Sequence, residues 1–157
     1  MSHSLTAFIA KRPVLVALAR SMEGASFYRL KHPDFLVLPI TDDVFDRVVE
    51  LKGPGSLVAV EFWGLTNNLA QLACEASALG LVAYIETDYF GGVGTQGAAV
   101  WKHETLLQEP ATGTKGTINL ALRTIGLAAD IGLDEFDTLG LGQVRHTSDF
   151  EELQPQS

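Results

Sequence analysis

The stretch Leu81-Val82-Ala83-Tyr84-Ile85-Glu86-Thr87-Asp88-Tyr89-Phe90-Gly91-Gly92-Val93-Gly94-Thr95-Gln96-Gly97-Ala98-Ala99-Val100-Trp101 consists of two apolar runs separated by a glycine-dense turn. Glycine takes positive φ without steric cost, so the four glycines between 91 and 97 imply a tight reversal or the close approach of a partner. The flanking runs are rich in β-branched and aromatic residues. Leu81–Tyr89 and Gln96–Lys102 therefore read as two strands of a hairpin.

Upstream of the hairpin, Leu69, Leu72, Ala73, Ala76 and Leu79 recur at helical spacing after Thr66 or Asn67, and Gly80 stops them. Before that helix, Leu57–Trp63 is a nearly continuous apolar run holding Glu61, the pattern of a strand covered on both faces. Thr41-Asp42-Asp43 supplies a cap and favourable negative charge for a second helix, with Val44, Phe45, Val48 and Val49 inward and Gly53-Pro54 as its end. Phe35–Leu38 reads as a strand. Residues 20–34, with Gly24 and the His32-Pro33-Asp34 breaker, read as loop. Val14–Leu18 fits either a first strand or the end of an N-terminal helix.

Downstream, residues 103–116 read as a polar loop around Pro110, and Thr117 as the cap of a helix burying Ile118, Ala121, Leu122 and Ile125. Asp134 caps one short acidic turn pinned by Phe136, Leu139 and Leu141. The polar end from Ser148 is expected to fray. The pattern predicts one layered domain over residues 1–150 with a frayed tail at 151–157. Its fold class is α/β or α+β: a mixed sheet from two β-α crossovers plus the hairpin in the C-terminal half, with helices packed on it.

The chain has 157 residues, 46% hydrophobic and 19% charged, with a net charge of −8. That suits one core and opposes binding to phosphate backbones, which need a basic stripe. An acidic surface is suited to a basic protein partner. The single cysteine, Cys74, forms no intrachain disulfide and reads as a buried thiol, which points to the cytoplasm. Ala7–Ala10 is interrupted by Lys11-Arg12-Pro13, and Pro13–Ala19 is too short to span a membrane, so neither an export signal nor a membrane segment is read here.

No specific catalytic pattern is present. Gly91–Gly94 lacks both the GK[ST] ending and the strand–turn–helix context of a phosphate loop. His3, His32, His103 and His146 are not spaced as zinc ligands, there is no G-x-S-x-G, and no metal or cofactor is expected. If the crossovers made a parallel sheet, Asp42, Asp43, Glu61, Glu86 and Asp88 would gather at the strand ends where such sheets hold ligands. Carboxylates there would suit a divalent metal. The competing reading gives Asp42 and Asp43 to a helix start and leaves Glu61 and Glu86 facing solvent. Arg145 and His146 read equally as site residues or as a latch of ion pairs to Asp134, Glu135 and Asp137.

The spellings YFGGxGxQ and DEFDxLGLGxxRHT together resemble small bacterial proteins that carry both stretches, over roughly residues 82–147. The resemblance implies no activity, cofactor or substrate. The leading expectation is a small protein-binding module, an immunity protein that meets a basic toxin. Its candidate surface is Tyr89, Phe90, Gly91, Gly92, Gly94, Gln96, Trp101, Arg145 and His146. The alternative is an enzyme or small-ligand protein using the Gly91–Gln96 turn, His103, the acid cluster Glu61, Glu86 and Asp88, and the pair Arg145-His146. A third reading is a homo-oligomer joined through the hairpin edge.

Overall fold

The computed structural model describes residues 2–22, 25–59 and 61–156. Gly24, read as loop, and Val60, read as strand, lie outside them. In chain order the elements are β1 (Ser2–Ala10), α1 (Arg12–Ser21), β2 (Tyr28–Arg29), β3 (Leu36–Pro39), α2 (Asp42–Lys52), α3 (Asn67–Ala76), β4 (Val82–Phe90), β5 (Val93–Lys102), β6 (Thr105–Gly113), α4 (Thr117–Thr124) and α5 (Glu135–Thr138).

The six strands form one sheet in the order β2-β3-β1-β4-β5-β6, and every neighbouring pair is antiparallel. The architecture is α+β. The expected mixed sheet is corrected by β1, a strand that the sequence reading did not assign. It lies between β3 and β4 and runs against both, with Ala7 opposite Pro39 on one side and Ile85 on the other. The β3-to-β4 connection brings the chain back in the same direction, but β1 separates the two strands. No parallel ladder forms between them.

Alternation along the strands divides the core into two layers. Phe8, Ala10, Leu36, Leu38, Val82, Tyr84, Ala99 and Trp101 pack under α1, α2 and α3. Leu5, Ala7, Ile9, Val37, Ala83, Ile85, Ala98 and Val100 pack under α4 and the segment from Leu139 to Phe150. With helices on both faces, the central strands are apolar at nearly every position, as in any sheet covered on both sides. Val14–Leu18 belongs to α1, where Pro13 sits in the first turn and needs no intrahelical donor. The caps of α2 and α3 are as read: Thr41 and Thr66 accept the amides of Val44 and Leu69.

Three further segments differ from their sequence reading. The described residues of 57–63 belong to no strand of the sheet; Leu57 makes an isolated bridge to Thr66, and Phe62 turns into the core. Residues 103–116 hold β6, an edge strand in which Pro110 is tolerated because one side of its ladder is open. The polar end is docked: Phe150 is 1% exposed, and the Gln156 amide donates to the Phe27 carbonyl at 2.8 Å.

The β5–β6 turn is made by His103 and Glu104, both left-handed at φ 50° and 61°. Side chains rarely adopt this conformation. Here it is held because the His103 amide donates to the Ser77 carbonyl and the Glu104 amide to Ser77 Oγ. Glu104→Gly is expected to raise stability by a few tenths to about 1 kcal/mol, since the relief of left-handed strain exceeds the added chain entropy of glycine. Urea unfolding of the variant measures it; an unchanged or lower midpoint refutes the strain assignment.

Candidate functional site

The β4–β5 turn is a two-residue reversal, with Gly91 and Gly92 at φ 61° and 82°. Positive φ at both central positions is what a twisted hairpin requires, and a Cβ at either would meet nothing within 4 Å. The turn is thus open to solvent. Phe90 and Val93 face each other across it, 78% and 79% exposed. Gly94 pairs with Tyr89 one step further in. Trp101 lies at the opposite end of β5 and is buried against the first layer, so it does not share this surface.

Beside the turn, on the second face, lies a cavity of about 310 Å³. Gln96 organises its wall. The Gln96 Oε1 accepts the Ile118 amide at 2.7 Å, and its Nε2 donates to the Tyr89 hydroxyl at 2.9 Å. Tyr89 in turn donates to the Thr114 carbonyl. The first turn of α4 is therefore capped from a neighbouring strand. Thr117, expected as the cap, is instead the first helical residue after left-handed Gly116.

His3, at the N-terminus, lines the same cavity. Its Nε2 lies 3.1 Å from the Leu141 carbonyl, which can only accept, so Nε2 carries the proton. Nδ1 lies 2.7 Å from Thr87 Oγ1, which also accepts the Leu5 amide. These bonds fix the ring against Phe136, with centroids 5.5 Å apart. Asp134 caps α5 through the Asp137 amide at 2.8 Å, as read, and accepts Asn119 Nδ2 at 3.2 Å. Lys115 completes the rim.

The acid cluster does not converge. Glu86, completely buried, sits on the first face beneath the Trp63–Gly64 loop. Its Oε2 accepts the Trp63 amide at 3.2 Å, and its Oε1 accepts the Gly64 amide at 3.3 Å and the Tyr84 hydroxyl at 2.7 Å. Burial raises the Glu86 pKa above the ordinary carboxylate value, against the opposing effect of these bonds and one from Leu65. Burial first, and then the neighbouring Glu86 carboxyl, raise the Tyr84 hydroxyl well above its usual value. Glu86 thus holds a loop. Glu61 and Asp88 are exposed, and His103 is a turn residue at the far end of β5. The enzyme constellation drawn from these residues with Gln96 is spread over separate faces.

Arg145 and His146 continue the position of β3 along β1. The Ser4 amide donates to the Arg145 carbonyl at 2.6 Å, and the Thr6 amide to Thr147 Oγ1 at 3.0 Å. Their own amides both donate to Asp149 Oδ2. The ion pair at the acidic turn is made instead by Arg123, whose guanidinium lies 2.6 Å from buried Glu135. His146 lines a groove of about 380 Å³ with Asp42, Asp43, Trp63 and Glu151. Cys74 is half-buried, with its Sγ 3.3 Å from the Glu104 carbonyl.

Of the residues read as a site, Tyr89 and Gln96 meet in the cavity, while Phe90, Gly91 and Gly92 form the exposed tip. His3, Thr87, Lys115, Asn119 and Phe136 were missed as site residues. The glycine cluster around Lys115 and the acidic stretch from Asp134 were the only signals pointing to them. No family model, curated protein or solved structure matches the chain. The functional reading therefore rests on site geometry.

Proposed function

We propose that the chain is a protein-binding module that presents the β4–β5 tip and the adjoining acidic face to a basic partner, in the manner of an immunity protein that neutralises a toxin. The observation that carries the reading is the pair Phe90 and Val93, exposed side by side at a two-residue turn. An apolar pair held away from its own core gains about 1.5–3 kcal/mol per side chain when a partner covers it. Glu86, Asp88 and Phe90 alternate onto one face of β4, and Trp63, 38% exposed, sits above Glu86. Exposed Asp42 and Asp43 line a groove with Trp63 and supply negative charge beside it. Aromatic anchors within a charged rim are the composition of a binding face. The net charge of −8 favours a basic partner and makes association faster at low salt.

The test measures binding of the purified chain to the product of the adjacent gene by calorimetry, with growth rescue as a second readout. Sub-micromolar affinity is expected. The double variant Phe90→Ser with Val93→Ser is expected to weaken it at least about a hundredfold while costing at most about 1 kcal/mol of stability, the contribution of one exposed cross-strand pair. Absence of sub-micromolar binding, or equal binding by the variant, refutes the proposal.

A further inference from the structure

The cavity beside the hairpin has a charge pattern that the partner-binding reading does not use. Lys115 and Asp134 both line it, yet the only ion pair among the described residues is Arg123 with Glu135. Two opposite charges therefore border one cavity without neutralising each other. Besides these two, His3 has its Nε2 proton committed to a carbonyl, and Phe136 and Ile118 give apolar walls. Lys115 and Asp134 cancel in formal charge, in a chain of −8. An anion alone would meet Asp134 and the overall field, and a cation alone would meet Lys115. A ligand with both charges meets each with its complement.

We propose that this cavity binds a free α-amino acid with an apolar or aromatic side chain. The carboxylate pairs with the Lys115 ammonium at the start of α4, where the helix polarity also favours negative charge. The ammonium group pairs with Asp134, whose oxygens each accept one hydrogen bond and retain a further lone pair. The side chain lies against Phe136 and Ile118. A volume of about 310 Å³ suits a ligand of this class. The inference goes beyond the partner-binding reading and does not rest on it.

Calorimetry with the full chain tests it, using L-phenylalanine, L-leucine, phenylacetate, which lacks the ammonium, and phenethylamine, which lacks the carboxylate. At least one amino acid is expected to bind at millimolar concentration or below, with phenylacetate and phenethylamine each about tenfold weaker or more, the effect of losing one charge-assisted contact. Lys115→Met, at an exposed position, is expected to weaken the amino acid about tenfold and leave phenethylamine unchanged. Asp134→Ser, which keeps a capping hydroxyl for α5, is expected to weaken the amino acid similarly and leave phenylacetate no weaker. The variant Phe90→Ser with Val93→Ser is expected to bind the amino acid as the parent does, which separates this result from the fate of the partner-binding proposal. No heat from either amino acid, equal affinity for all four compounds, or an affinity indifferent to Lys115→Met overturns the proposal.

Discussion

Phe150→Ala is expected to remove about 3–5 kcal/mol of folding free energy, the cost of deleting a fully buried aromatic side chain and leaving a cavity. The ring is 1% exposed and lies 5.5 Å from that of Tyr28, centroid to centroid. It belongs to the layer that covers Leu5, Ala7 and Ile9 of the central strand. Small domains have a net stability of only about 5–15 kcal/mol, so this change takes a large share of the total. The Thr147–Glu152 turn that carries Phe150 also brings in Thr147, whose hydroxyl accepts the Thr6 amide. Loss of the ring therefore loosens a hydrogen-bonded cover over the edge of β1 as well as leaving a void. Urea unfolding followed by tryptophan fluorescence measures the change; a midpoint equal to that of the parent would return the tail to the frayed state its composition suggests.

That tail shows where local reading stops. Phe150 is one aromatic in a polar run, and nothing nearby in sequence reveals that Tyr28 and the central strand wait for it. The β4–β5 hairpin, by contrast, was legible because its signals are contiguous: two apolar runs, with glycines where φ must be positive. Helices α2 and α3 were legible for the same reason, through Thr41 and Thr66 and the apolar stripes behind them. β1 was not. Its first residues, Ser2-His3-Ser4, are polar, and the partners of that end lie more than 80 residues away, in Asp88, Tyr89, Phe90 and Arg145. Strand formation depends on such cross-strand partners more than on intrinsic preference. The cavity was illegible on the same grounds, because its lining comes from residues 3, 87–96, 115–119 and 134–136. Leu57–Trp63 erred in the opposite direction. Its composition is that of a strand, but a carboxylate on β4 takes the amides of Trp63 and Gly64.

That carboxylate gives the second large effect. Glu86→Ala is expected to destabilise the fold by several kcal/mol, since it strips acceptors from two amides and a hydroxyl at about 1–3 kcal/mol for each buried group left unsatisfied. A conservative change separates the charge from the contacts. The folded pKa of Glu86 is raised, chiefly by burial, so across the window from the ordinary carboxylate value up to the folded value the native state holds a proton that the unfolded chain has lost. Its contribution therefore lowers stability as pH rises through that window, by at most about 1.4 kcal/mol per pH unit, and is level above it. Glu86→Gln retains an acceptor for Tyr84 and Gly64 and has no such proton. The stability difference between the Glu86→Gln variant and the parent, from urea midpoints at closely spaced pH values, is expected to shift in favour of the variant with increasing pH and then flatten. Other carboxylates cancel in that difference. Tyr84→Phe supplies the cross-check: the Tyr84 hydroxyl bond lowers the Glu86 pKa, so its removal is expected to move the flattening to higher pH while costing stability throughout. A difference independent of pH would mean that the carboxyl is ionised in the folded state at the same pH as in the unfolded chain, and that burial is not what sets its charge.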